Sequence, residues 1–320
     1  MNSTSNITNA VNNYYDQLLL HRATSELLHG MFAQKRPLPR NGSTNTIKFR
    51  RYSNLSTATT PLVEGQNPGS VQFTIADVTA QVQEYGNYVE VSSTLDWSVV
   101  SSEPAEWMQI LGYNANDTLD VLMRDAYNAG TNVYYGGNAT LTSNVDTADL
   151  IDTTAIKKSV RLLKNNDART ITSFGYTDDA QDVKNIRPCF VGICHPNTTY
   201  TLKGLTGWTD IEQYAHSTQT MPGEVGKLDE VRFIETTNAK IKTGQGDSGI
   251  DVYTTLIFAQ DAVGRTMVTG EDLKTIYHPF GSAGASDPLN RISTMGWTTT
   301  FVAMILNNAY LVRIEHAVSA

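Results

Sequence analysis

The sequence has few of the features that mark secreted, membrane-spanning or nucleic-acid-binding proteins. Only two of its 320 residues are cysteines, and 24 lysines and arginines stand against 32 aspartates and glutamates. The resulting formal charge of −8 provides no overall basic field for a phosphate backbone, which disfavours a free nucleic-acid binder. Hydrophobic residues make up 40% of the chain, so we expect a folded globular protein rather than a disordered one.

Two kinds of targeting segment are missing from the sequence. Residues 1–8 contain neither a basic region nor an apolar core, so we expect no secretory signal. No window approaches the roughly twenty apolar residues that a membrane-spanning helix needs. We therefore expect a protein that does not associate with membranes.

The two cysteines, Cys189 and Cys194, lie in an apolar run that predicts a buried strand. Five residues apart on a strand, their side chains point to opposite faces and cannot easily form a disulfide. We expect free buried thiols, as in a chain that matures in a reducing cytoplasm. Cys194 and His195 lack a second pair of ligands at a usable spacing, so we expect no metal ion and no cofactor.

Apolar residues at three- and four-residue steps predict several helices. The first spans residues 11–31 and ends before a proline-containing segment, residues 36–39, that breaks helices. The second is long, from Ala105 to Ala129, with a break near Gly112. Further helices are expected over 151–163, where Asp149 and Asp152 complement the helix dipole, and near 197–204.

Alternating or β-rich apolar segments predict the strands. They cover residues 46–52, 78–91, 189–194, 231–234, 253–259, 297–306 and 310–315. Between the first two lies a stretch from Leu55 to Ala76 that is rich in turn-forming Pro and Gly. Unstructured connections longer than roughly a dozen residues are uncommon unless they bind something. We therefore expect a long hairpin-like loop that projects from the body and contacts a partner.

Catalytic motifs are present only in part. Gly246-Asp-Ser-Gly249 matches the nucleophile loop of chymotrypsin-like proteases, but no histidine lies in that family's sequence context, and the surroundings predict a flexible loop. His195 and His278 each precede a proline and lie far from any carboxylate cluster. A lone histidine at a strand end is usually a hydrogen-bonded structural residue. We expect no catalytic residues and no enzymatic activity.

Several short motifs, in order along nearly the whole chain, resemble one known family. They are Ala33-Gln-Lys-Arg-Pro-Leu-Pro39, Thr46-Ile-Lys-Phe-Arg-Arg-Tyr52, Ala58-Thr-Thr-Pro-Leu-Val-Glu-Gly65, Glu84-Tyr-Gly-Asn-Tyr88, Cys194-His-Pro196, Gly223-Glu-Val-Gly226, Asp287-Pro-Leu289, Gly296-Trp297 and Val312-Arg-Ile-Glu315. In these the chain is similar to the major capsid proteins of N4-like podoviruses, which are tailed bacteriophages with the Hong Kong 97-like capsid fold.

The resemblance implies an α+β protein with four parts. These are an N-terminal arm (residues 1–45), an extended hairpin called the E-loop (46–92), a peripheral domain with a long spine helix (93–150 and 291–320), and an axial domain (151–290). It also implies a subunit that self-assembles into hexamers and pentamers of an icosahedral shell. The shell would enclose double-stranded DNA without sequence-specific binding.

The implied partners are other copies of the chain, a separate scaffold protein, a portal and decoration proteins. Assembly would take place in the host bacterial cytoplasm, and the final location would be the virion capsid. Opposite charges on the projecting element suggest that Glu64 and the strand bearing Lys48, Arg50 and Arg51 form ion pairs between subunits.

Two other functions fit parts of the sequence. The Asn, Thr, Tyr and Trp residues of the β-rich segments are compatible with a virion adhesin or another carbohydrate-binding structural protein, although the repeats typical of adhesins are absent from the sequence. A hydrolase using Ser248 is the second alternative, and loss of activity on Ser248→Ala would support it.

Overall fold

The computed structural model of the chain describes residues 28–40, 45–52, 55–67, 69–98, 103–175, 184–214, 220–282, 284 and 287–319. Most of the helix predicted over residues 11–31 lies outside this range, as does most of the predicted arm. The described end of that helix is a short 3-10 turn, His29–Phe32. The short strand β1 (Gln34–Lys35) follows directly, before the prolines.

The remaining elements follow in chain order. They are β2 (Thr46–Tyr52), β3 (Ile75–Gln81), β4 (Gln83–Ser92), α1 (Ser93–Ser98), α2 (Glu103–Asn128), β5 (Val133–Tyr135), α3 (Thr153–Asn165), β6 (Ile171–Phe174), β7 (Lys184–Cys194), α4 (Pro196–Lys203), β8 (Thr209–Asp210), β9 (Glu224–Leu228), β10 (Val231–Glu235), β11 (Ile241–Lys242), β12 (Val252–Phe258), β13 (Val263–Thr266), β14 (Lys274–His278), β15 (Ile292–Ile305) and β16 (Leu311–His316).

The largest sheet is built around the buried strand β7, as its apolar run predicts. Nine strands belong to it, in the order β5-β16-β12-β7-β10-β9-β8, with β11 beside β12 and β6 beside β7. Alternate residues of β7 enter two separate cores: Cys189 packs toward α2, whereas Cys194 packs toward α3 and α4. Both thiols are free and buried, as predicted, and burial raises their pKa to about 11 and about 12.

The second sheet carries the long helix. In it, the 14-residue strand β15 pairs with β4, β13 and β14, and β1 pairs with β13. α2 runs unbroken for 26 residues, so the predicted break near Gly112 is wrong. A glycine costs a helix only about 1 kcal/mol relative to alanine. The buried residues Leu111 and Ala115, packed against Met295 and Trp297 of β15, stabilise the helix on both sides of the glycine.

The two aspartates predicted to complement the α3 dipole have different roles. Asp152 is the N-cap, and its side chain accepts a hydrogen bond from the Ala155 amide at 2.8 Å. Asp149 instead accepts from the amides of Asn138 and Asp146 at 2.9 and 3.1 Å. It therefore fastens the loop before the helix rather than the helix itself.

The alternating run of residues 78–91 was expected to form one strand, but it forms two. β3 pairs with β2 in a two-stranded sheet, whereas β4 pairs with β15 from Ile292↔Ser92 to Phe301↔Gln83. The buried Val82 lies at the junction between them, where the chain leaves one sheet for the other. The last two strands, β15 and β16, also belong to different sheets, although they are close together in the chain.

His316, at the end of β16, makes the fold sensitive to acid. Its Nδ1–H donates to the Ala317 carbonyl at 2.7 Å, and its Nε2 lies 2.9 Å from the Thr255 hydroxyl, which can donate to Nε2 when the imidazole is neutral. Burial lowers the pKa of His316 from 6.5 to about 4. Because the folded-state pKa lies below the unfolded value, the contribution of neutral His316 to stability is fully present above pH 6.5. It is lost as the pH falls toward 4.

We expect the coupling of His316 protonation to unfolding to lower the free energy of unfolding by up to about 3 kcal/mol across that pH window, at 1.36 kcal/mol per pKa unit. Urea denaturation of the unassembled subunit at a series of pH values measures this loss. His316→Gln should show a weaker pH dependence, and His278→Gln, at an exposed histidine, should behave as the wild type. Equal pH slopes in all three proteins would contradict the assignment.

Candidate assembly surface

The β2–β3 hairpin is anchored to the body by one face of β2. Ile47 and Phe49 are buried against Met304 of β15, with Val302 and Leu306 packed around them. The two strands pair in register from Thr46↔Gln81 to Tyr52↔Ile75. Beyond this register, the described residues of the connection form no strand or helix, as the turn-rich sequence predicts.

The outer part of this hairpin exposes an unusual amount of apolar surface. Leu62 is 76% exposed and Phe73 is 67% exposed, although neither side chain carries a polar atom. The large apolar side chains that are exposed among the described residues of the hairpin are Tyr52, Leu55, Leu62, Val63, Val71, Phe73 and Ile75. Single exposed apolar residues are ordinary, but seven on one segment, residues 52–75, favour an interaction surface. We call this set the hairpin patch.

The structure separates the three basic residues that the sequence suggested as one group. Lys48 and Arg50 lie on the exposed face of β2, whereas strand alternation places Arg51 on the same face as Ile47 and Phe49. Arg50 forms an ion pair with Asp77 across the hairpin, Nε to Oδ1 at 3.1 Å. The hydrogen bond and the charge of Asp77 raise the pKa of Arg50.

Glu64, the fourth predicted contact residue, lies at the tip of the connection. Its turn is closed by a hydrogen bond from the Gln66 amide to the Val63 carbonyl at 3.1 Å, and Gly65 has a φ of 77°. A Cβ built on Gly65 would meet nothing within 4 Å, so the tip stands in open space. Within one chain, the structure brings Glu64 into an ion pair with none of Lys48, Arg50 and Arg51.

The described end of the N-terminal segment is fastened to the long helix by a buried pair. The His29 amide donates to Asp120 Oδ1 at 2.9 Å, and His29 Nδ1 bonds Asp120 Oδ2 at 2.8 Å. Burial alone would raise the pKa of Asp120, but the hydrogen bonds and charge of His29 hold it below its usual value. This anchor was not predicted from the sequence. Its signal was an aspartate within the apolar face of a helix, one turn before Met123 and two before Tyr127.

The residues considered for catalysis have structural roles. Ser248 Oγ donates to Asp247 of its own turn at 3.2 Å rather than to a histidine. That turn is joined to a neighbouring loop, because the Asp247 amide donates to the Val145 carbonyl at 2.8 Å. His195 caps α4 by accepting from the Asn197 amide, as expected for a histidine at a strand end.

Two further kinds of feature are absent from the described residues. They contain no group of three or more His, Cys, Asp or Glu side chains placed to hold a metal ion. Among their helices, none combines the length and apolar character needed to cross a membrane.

Comparisons with known proteins identify the fold. No protein-family model matches the sequence, and no curated protein matches it. Among solved structures, a chain from the capsid of Ralstonia phage GP4 is 12% identical, with a TM-score of 0.69 over 93% of this chain and 89% of that one. A chain from the head of Helicobacter pylori bacteriophage KHP40 is 12% identical, with a TM-score of 0.64 over 93% and 91%.

A third similar structure comes from the capsid of cyanophage Pam1. It is 13% identical, with a TM-score of 0.60 over 91% of this chain and 90% of that one. These matches cover almost the whole of both chains, so they concern the complete arrangement of sheets and helix rather than one motif. The chain has the Hong Kong 97-like capsid fold, with mixed α and β elements, as expected from the sequence.

Proposed function

We propose that this chain is a structural subunit of a bacteriophage icosahedral capsid and that it has no enzymatic activity. The observation that carries the proposal is the hairpin patch: seven exposed apolar side chains on an element that projects from a fold shared with phage capsids. Such an element is stabilised when a neighbouring subunit covers it. Heterologous contacts of this kind close into rings, which supports hexamers and pentamers as the capsomers.

The four-part organisation is proposed with the boundaries given by the sequence. The arm comprises residues 1–45, the E-loop 46–92, the peripheral domain 93–150 with 291–320, and the axial domain 151–290. The hairpin and β4 lie within the second of these, and α2 lies within the third. The order of the short sequence motifs supports the narrower assignment to the N4-like podoviruses.

The proposed partners follow from a shell that encloses double-stranded DNA. They are other copies of the chain, a separate scaffold protein, the portal and decoration proteins. The net charge of −8 favours retention of the genome by enclosure rather than by a basic lining. Assembly would take place in the host cytoplasm, and the finished shell would be part of the virion.

Negative-stain electron microscopy tests the proposal. The protein would be expressed alone and together with a candidate scaffold protein from the same phage. Closed shells, or rings of five and six subunits, are expected in at least one condition. Monomers or slender trimers in both conditions would overturn the proposal, and the virion adhesin would then be tested by glycan binding.

A further inference from the structure

A groove lined by arginines lies where the hairpin joins the body. It encloses about 480 Å³ between β2, the β12–β13 turn and the segment that joins β15 to β16. Among the described residues that line it, four are arginines and Asp261 is the acidic one. In a chain with a net charge of −8, this is a local concentration of positive charge. We call it the arginine groove.

The arginines of this groove differ in how far they are already neutralised. Arg50 is paired with Asp77. Arg36 instead lies over the Phe49 ring, with its guanidinium carbon 5.9 Å from the ring centroid, and this stacking holds the charge in place. Arg51 is exposed and has no ion pair with another described residue, whereas the exposed Arg169 already interacts with Asp261, whose pKa burial raises and the charge of Arg169 lowers. The groove therefore presents positive charge that a carboxylate from outside can meet.

The groove also has apolar walls, so it suits more than a simple anion. Phe49, Leu306 and Tyr310 line it together with the arginines. A matching ligand would combine one carboxylate with large apolar side chains. Residues 62–65 at the hairpin tip have this composition, because Glu64 follows the exposed Leu62 and Val63.

We propose that the arginine groove receives the tip formed by residues 62–65 of a second copy of the chain, with Glu64 against Arg51 and Arg169. Tip and groove are both open within one chain, and they are complementary in charge and in apolar character. The inference rests on the proposed capsid function, since it identifies the surface that one part of the hairpin contacts. On β2, the residue proposed to pair with Glu64 is therefore Arg51 and not Lys48, which lies on the opposite face of the strand.

Charge reversal tests which face of β2 is used. Arg51→Glu places a carboxylate opposite Glu64, so the subunit concentration needed for assembly should rise at least about tenfold, as like-charge contacts cost several kcal/mol. Lys48→Glu makes the same change of charge on the same strand but outside the groove, and should assemble at nearly the wild-type concentration. Melting temperatures of the unassembled subunits establish that both variants are folded. Equal effects of the two substitutions, or no effect of Arg51→Glu, would overturn the inference.

Cross-linking tests the contact itself. Val63→Cys at the tip and Gln260→Cys at the exposed rim of the groove would be made in separate proteins, mixed, assembled and oxidised with diamide. The native cysteines are buried, so they should not react. Covalent dimers should form in the mixture and not in either variant alone. Shells without these dimers would refute the tip contact while leaving the capsid function intact, whereas wild-type protein that forms no shells would refute the capsid function.

Discussion

Arg232→Met should lower the free energy of unfolding of the subunit by about 3–5 kcal/mol, the usual effect of breaking a buried ion pair by removing one partner. Arg232 bonds Glu224 through Nε and Nη2 at 2.6 and 2.8 Å. The Glu224 side chain is fully buried and also accepts from the Tyr214 hydroxyl and the Met221 amide, each at 2.9 Å. Without the guanidinium, its negative charge would remain in the interior with only neutral donors.

The double variant Glu224→Gln with Arg232→Met is the matched control. A neutral amide at position 224 can still accept from Met221 or Tyr214, and no buried charge is left without a counter-ion. The double variant should therefore be more stable than Arg232→Met alone. Urea denaturation of all three proteins measures the difference. A loss below about 1 kcal/mol in the single variant would indicate that the pair is effectively solvated.

Combining Leu62→Ser, Val63→Ser and Phe73→Ser should leave the subunit folded and prevent shell formation. The three side chains are exposed in the free chain, so their replacement removes little packing. If neighbouring subunits cover them in the shell, the contact loses on the order of 5 kcal/mol per subunit, at 1.5–3 kcal/mol per buried apolar side chain. That loss raises the concentration needed for assembly several thousandfold, at roughly tenfold for each 1.4 kcal/mol.

The control for this experiment uses exposed apolar residues outside the hairpin. Leu141, Tyr200 and Leu289 are comparably exposed, so replacing all three with serine removes a similar apolar area from a different part of the surface. Light scattering and electron microscopy at a series of protein concentrations compare the two triple variants with the wild type. Assembly of the hairpin variant at the wild-type concentration would show that the hairpin patch is not an interface.

The sequence predicted the elements that are defined by local periodicity. β2 has the bounds that its alternation predicts, Thr46–Tyr52, and the long helix differs from the prediction by no more than two residues at each end. The split between β3 and β4 was missed because residues on both sides of Val82 alternate equally well. The two strands are distinguished only by their partners, because β3 pairs with β2 and β4 pairs with β15.

The surface features were predictable only in part. The projecting loop followed from its length and turn residues, and its exposed apolar side chains are visible in the sequence once the loop is known to project. The separation of Arg51 from Lys48 follows from strand alternation. The arginine groove was not predictable, because Arg36, Arg51 and Arg169 come from three separate segments and meet only through tertiary contacts: β2 packs on β15, Arg36 bonds to β13, and Arg169 bonds to the β12–β13 turn.

The pairing of β15 has a mechanical consequence for a subunit that neighbouring subunits pull on. β4, which continues from the hairpin, is bonded along β15 from residue 83 to residue 92, and the segment following the His29 anchor joins the same sheet through β1 and β13. The ladder bonds lie perpendicular to the strands, so a pull along β4 loads them together in shear rather than one after another. Tension between subunits would then pass from the hairpin through β4 to the single strand β15. From β15 it would reach the N-terminal segment through β13 and β1.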